Sequence, residues 1–184
     1  MARLFISVET PSAQAEALLR RVPAQRGIRP TAAAQLHLTL RFLGEQDEEA
    51  AARIDLALRK VTVPSMSLQV RGVGRFRGRQ GVILWAGLEE SAALQALCDA
   101  IGAALESVGI APEGRRFWPH LTLARCRPEV PEHVLRDWLS THRELSLPPW
   151  AVDRFILFES FLDRRGARHA ERATYPLAGL SQDC

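Results

Sequence analysis

Hydrophobic and polar positions alternate in short blocks along this chain, and the period switches repeatedly between two and three to four residues. Residues 3–9 (RLFISVE) read as a strand. Pro11 then opens a helix that the apolar spacing carries to about Val22, with Thr10 as its expected N-cap. A loop from Gly27 to Pro30 leads into a strand over residues 36–42. The next helix is expected over 47–60, with acidic residues in its first turn, where the macrodipole favours them. Residues 68–73 and 82–88 read as two strands, and the Gly/Arg-rich stretch 74–81 between them as a hairpin loop.

The second half repeats this scheme. A helix is expected over 91–108, a strand over 120–125, and a helix over 131–142 with Pro131 in its first turn. Residues 152–158 and 174–180 read as strands joined by the polar loop 163–169. Each half thus runs helix, strand, helix, two strands, with one extra strand ahead of the first helix. The word HLTL opens the matching strand in both halves, at 37–40 and 120–123, and its histidines lie 83 residues apart in a chain of 184. That pattern predicts an internal duplication. No linker of the kind that separates independent domains interrupts it, so a single α+β domain over residues 1–184 is expected.

The composition of the repeated word points to chemistry. In a strand, residues i and i+2 share a face. His37 and Thr39 would therefore project together, with Leu38 and Leu40 packed behind them; His120 and Thr122 repeat this over Leu121 and Leu123. Two imidazoles and two hydroxyls brought together suit acid–base chemistry at phosphorus. One protonated ring donates to a leaving oxygen, one neutral ring deprotonates the nucleophile, and the hydroxyls donate to non-bridging oxygens. Taken singly, a His-x-Thr pair is an ordinary half-exposed strand feature. Two at matched positions of a repeat are not. A metal site is disfavoured, because two histidines without a supporting Cys, Asp or Glu in these strands are a poor ligand set.

Composition narrows the setting. The opening MARLFISVETPSAQ turns polar too soon for a signal peptide, and no apolar run approaches a membrane span, so a soluble, cytoplasmic protein without membrane partners is expected. Cys98, Cys126 and Cys184 are odd in number and widely spaced, which suggests neither a disulfide framework nor a zinc site. The net charge is +3 from 24 Lys+Arg against 21 Asp+Glu. Lys60 is the single lysine. Arginine suits bidentate phosphate contacts, although most of these arginines read as solvated surface.

With these residues in view, the chain resembles the 2′-5′ RNA ligase family, also called RNA 2′,3′-cyclic phosphodiesterases, within the two-histidine (2H) phosphoesterases. The resemblance covers essentially the whole chain. It is carried by Arg3-Leu4-Phe5-Ile6, the segment HLTLRFLG at 37–44, Val82-Ile83-Leu84-Trp85-Ala86-Gly87, and Phe117-Trp118-Pro119-His120-Leu121-Thr122-Leu123-Ala124-Arg125. It implies an α+β fold of two pseudo-symmetric lobes, each an antiparallel sheet with helices on its outer face, around a central cleft. It implies opening of a 2′,3′-cyclic phosphate at an RNA 3′ end to a 2′-phosphate, without metal or nucleotide cofactor. Some members also join tRNA halves through a 2′-5′ bond. Nothing demands more than a monomer.

By that resemblance, His37 is the general acid, His120 the general base, and Thr39, Thr122 and Arg125 hold the phosphate. Phe5 and Phe42 match positions that stack near the base or line the cleft. Strict alternation complicates three positions. It turns Phe42 away from His37 and Arg125 away from His120, so Arg125 reaches the site only if its strand ends, twists or bulges, whereas Arg41 shares the His37 face. The basic stretch Arg75-Phe76-Arg77-Gly78-Arg79 reads either as an RNA guide or as a solvated hairpin tip. His133, His142 and His169 lack a threonine partner and are assigned no chemistry. Two alternatives stay open: a nucleotide-binding module without turnover, and a phosphodiesterase of a small cyclic nucleotide or ADP-ribose derivative.

Overall fold

The structure, a computed structural model, describes residues 1–163 and 166–179. Among them, the strands are β1 (Ala2–Glu9), β2 (Ile28–Pro30), β3 (His37–Gln46), β4 (Met66–Leu68), β5 (Val70–Gly78), β6 (Gly81–Leu88), β7 (His120–Cys126), β8 (Trp150–Val152), β9 (Arg154–Asp163) and β10 (Gly166–Pro176). The helices are α1 (Ser12–Leu19), α2 (Glu48–Leu58), α3 (Ala92–Glu106) and α4 (Glu132–Thr141).

Side-chain caps explain two of the four described α-helix starts. The Asp47 side chain accepts from the Ala50 amide at 2.7 Å at the head of α2, and Ser91 accepts from Leu94 at 3.1 Å at the head of α3. Thr10 does not cap α1 as expected. Pro11 occupies the N-cap position without a side-chain bond, and the Thr10 hydroxyl is buried without a partner among the described residues. The stretch expected as a hairpin loop at 74–81 is mostly strand, because β5 and β6 pair down to Gly78↔Gly81. The expected polar loop at 163–169 likewise continues β9 and β10. Residues 164 and 165, and position 180 of the last expected strand, lie outside the described residues. The short strands β2, β4 and β8 carry too few residues to show an alternation.

The strands pair in the order β10-β9-β1-β3-β7-β6-β5, with β2 also on β7, and β4 pairs separately with β8. All the named ladders are antiparallel. The main sheet is two groups of four strands joined at one rung, Leu38↔Leu121 between β3 and β7. The duplicated halves are not the two groups. The β5–β6 hairpin, which follows the first HLTL strand in sequence, docks on the second, and the β9–β10 hairpin docks beside β1 and β3. Small β4 and β8 cross in the same reciprocal way, through Ser67↔Ala151.

One sheet face is covered. Leu4, Ile6, Val8, Leu38, Leu84 and Leu121 share a buried cluster with Leu18 of α1, Ile54 and Leu58 of α2, Leu97 and Ile101 of α3, and Trp138 of α4. Burying each such side chain contributes about 1.5–3 kcal/mol. The other face carries His37, Thr39, His120 and Thr122, all half-buried. Among the described residues no helix is long and apolar enough to cross a membrane.

Candidate active site

Each motif histidine is held by the backbone just ahead of it. His37 Nδ1 lies 2.6 Å from the Gln35 carbonyl oxygen, and His120 Nδ1 lies 2.6 Å from that of Trp118. A carbonyl can only accept, so Nδ1 carries the hydrogen in both rings. The free nitrogen is therefore Nε2 in each, basic when the ring is neutral and a donor when it is charged. Leu38 and Leu121 face each other between the two pairs. In an antiparallel ladder the flanking positions then fall on one face, His37 towards Thr122 and Thr39 towards His120.

Two β-bulges decide what else joins this face. Along β3, Thr39 pairs with Ser7 but Arg41 pairs with Ile6, so Leu40 is an extra residue. Along β7, Thr122 pairs with Trp85 but Ala124 pairs with Leu84, so Leu123 is an extra residue. Both insertions fall three residues after the histidine, and each shifts the alternation by one. Phe42, paired with Phe5, and Arg125, paired with Ile83, thereby reach the face of the histidines, and Arg41 leaves it. The Thr31 amide donates to the carbonyl of the extra Leu123 at 2.8 Å, which satisfies that interrupted position of the ladder.

Two expectations from alternation are thus corrected, for Phe42 and Arg41. The Arg41 guanidinium donates to the Ala111 carbonyl and lies 4.0 Å from Glu113, in the segment after α3. Arg75 and Arg77 also point elsewhere, at 2.8 Å and 3.0 Å from Glu132 of α4, so those two charges of the basic hairpin do not face the histidines. Phe76, between them, turns to the motif face and meets His120 edge-on at 5.0 Å.

Of the two positions expected of Phe5, its burial fits lining the cleft. Phe5 is 3% exposed and packs in a cluster with His37, stacked at 5.1 Å, and Phe158 at 5.4 Å, these two being 6.5 Å apart. It lines the floor under His37 and offers no face to a base. Phe42, 70% exposed and 6.2 Å from Phe5, does. Around His120 the equivalent aromatics are Phe76, Trp85 and Trp118, with the Arg116 guanidinium 5.5 Å over the Trp118 ring. A Cβ at Gly74 would collide with the Trp85 indole, so the missing side chain is what lets that ring lie flat on β5.

The reading of the sequence missed His169. Its ring meets Phe5 at 4.8 Å and His37 at 5.3 Å, both edge-on. No local motif marks it; it arrives through pairing of β10 with β9 and of β9 with β1. Burial is the main cause that pushes His37 down to about 4, against the bond to Gln35, with the charge of His169 adding to the fall. Burial also lowers His169. Among the described residues no three His, Cys, Asp or Glu side chains gather as a ligand set.

Comparison with known proteins bears on this geometry. The family model described as the 2′-5′ RNA ligase superfamily matches residues 9–163. An RNA 2′,3′-cyclic phosphodiesterase of Thermotoga maritima is 31% identical over 176 residues, covering 89% of both chains. One from Archaeoglobus fulgidus is 29% identical over 168 residues, covering 89% of this chain and 94% of its own. Among solved structures, the Thermus thermophilus protein TT0787 superposes with a TM-score of 0.79 at 26% identity, covering 96% of this chain and 98% of its own. Escherichia coli LigT complexed with 3′-AMP gives 0.75 at 25% identity, with the same coverage. The chain belongs to the 2′-5′ RNA ligase superfamily.

Proposed function

We propose that the protein is an RNA 2′,3′-cyclic phosphodiesterase that opens the terminal cyclic phosphate to a 2′-phosphate. The observation that carries this is the matched pair of Nε2 atoms, each freed by an Nδ1–carbonyl bond and each beside a threonine on one face. His120 Nε2 takes a proton from water as the water oxygen bonds to phosphorus. The P–O3′ bond breaks, P–O2′ is kept, and His37 Nε2 gives its proton to O3′. Thr39 and Thr122 donate to the non-bridging oxygens, Arg125 adds a charge on the β7 side, and Phe42 stacks on a base. Burial favours the neutral ring of His37. A bound phosphodiester anion opposes that effect and favours the imidazolium the acid role needs.

The substrate in this reading is RNA bearing a 2′,3′-cyclic phosphate, with tRNA halves as one source. Both histidines come from one chain, which fits a working monomer. Free thiols at Cys98 and Cys126 fit a reducing cytoplasm. The test is incubation of such an RNA with the protein in chelator, followed by identification of the oxygen that keeps the phosphate. A 3′-phosphate product, or no product, overturns the reading. A second activity, 2′-5′ joining, is favoured by Phe76 and Trp118. They are 39% and 49% exposed; Phe76 meets the histidine that activates the nucleophile, and Trp118 meets Trp85 beside it. Water needs no aromatic platform, whereas a nucleoside carrying a 5′-hydroxyl does. Adding a 5′-hydroxyl RNA and searching for a 2′-5′ linked product tests it.

A further inference from the structure

His169 stands outside both motifs, yet it touches the proposed acid. Pairing carries it there. His169 lies across from Ser160 on β9, Ser160 lies across from Arg3 on β1, and alternation then sets His169, Phe158 and Phe5 on the motif face. The imidazole is inclined at 71° to the Phe5 ring and at 74° to the His37 ring. Phe5 and His37 are stacked on each other at 29°, so His169 stands steeply inclined to both members of that stack.

We propose that His169 is a positioning residue for His37, bracing its ring edgewise and holding the two imidazoles to a single shared proton. This rests on the reading of His37 as the acid of a phosphodiesterase. Two like charges with ring centres 5.3 Å apart oppose each other, so the pair takes up one proton far more readily than two. His120 and Arg125 of β7 share the motif face, and Arg29 of β2, opposite Arg125, approaches Gly166 at the head of β10. Arg3 of β1 pairs across to Glu45 of β3, Glu9 is held by Arg154 at 2.7 Å, and Glu171 of β10 is exposed; β9 presents the uncharged Ser160. The charge that acts on His37 is that of His169, and the two rings are in direct contact. A phosphodiester at Thr39 draws the shared proton to His37, the ring on the same strand. His169 is then neutral while His37 is charged, which is the state that donates to O3′.

The test is an NMR titration of His37 in the wild type, His169→Gln and His169→Phe, with pH profiles of kcat on an RNA 2′,3′-cyclic phosphate. Gln removes the charge, and Phe removes it but keeps a ring against the stack. In both variants the apparent pKa of His37 should rise by about one unit. The alkaline limb of kcat should move up with it, with KM nearly unchanged. Superimposable His37 titrations in all three proteins would overturn the proposal. So would a Phe variant that titrates like the wild type while Gln does not, because bracing alone would then account for the contact. The titration needs no turnover. A wild type that shows the coupling but opens no cyclic phosphate would refute the phosphodiesterase reading and leave the pairing of the two histidines standing.

Discussion

Leu38 and Leu121 face each other at the rung that joins β3 to β7, and neither has appreciable solvent exposure. Each is the residue between a histidine and its threonine. The contact that holds the two strand groups together is therefore the contact that sets the four polar side chains around one point. Truncating either leucine to alanine should cost about 2–5 kcal/mol of unfolding free energy, measured by urea denaturation, and should lower kcat in the folded fraction.

Replacing His37 or His120 with alanine should lower kcat about 10²–10⁴-fold each, with unfolding midpoints close to the wild type for His120. The double variant should be hardly slower than either single one, since the two groups act in one proton-transfer step. Steady-state kinetics on a cyclic-phosphate RNA checks this; a fully active double variant would rule out the two-histidine mechanism.

The burial of His37 has a consequence for stability. Its folded value of about 4 lies below the ordinary 6.5, so its contribution is fully present above pH 6.5. As pH falls from 6.5 to 4 the unfolded chain binds the proton and the folded one does not. The protein should lose about 3 kcal/mol over that window from this group alone. Denaturation midpoints of wild type and His37→Gln, compared at pH 7 and pH 4.5, should converge toward the acid end.

Phe5 and Phe42 are paired in register but should behave oppositely. Phe5→Ala should destabilise the fold by about 3–5 kcal/mol, because its ring is buried against two others. Phe42→Ala should change stability by less than about 0.5 kcal/mol. It should weaken substrate binding by about 1–3 kcal/mol of lost stacking, read as a higher KM.

Arg41 and Arg125 form a second contrast. Arg125→Gln should raise KM for the cyclic-phosphate RNA about tenfold, the size of one charge-assisted hydrogen bond. Arg41→Gln should leave KM unchanged and act on stability through the segment holding Ala111 and Glu113. A KM effect at Arg41 and none at Arg125 would show that the bulges do not orient these side chains as described.

The amino-acid sequence by itself determined the α+β class, the helices capped by Asp47 and Ser91, and the motif strands with His37, Thr39, His120 and Thr122 on one side. These follow from periods of two and 3.6 and from side chains that satisfy nearby amides, forces acting within a few residues. Tertiary structure alone decided three further features. The bulges at Leu40 and Leu123 exist only relative to β1 and β6, so counting along β3 or β7 misplaced Phe42 and Arg41 and left Arg125 undecided. The hairpins cross to the strand group of the opposite motif, a choice made by long-range pairing that local pattern does not encode. His169 meets His37 across two intervening strands, because a ladder brings together residues whose separation in the chain carries no information about their contact.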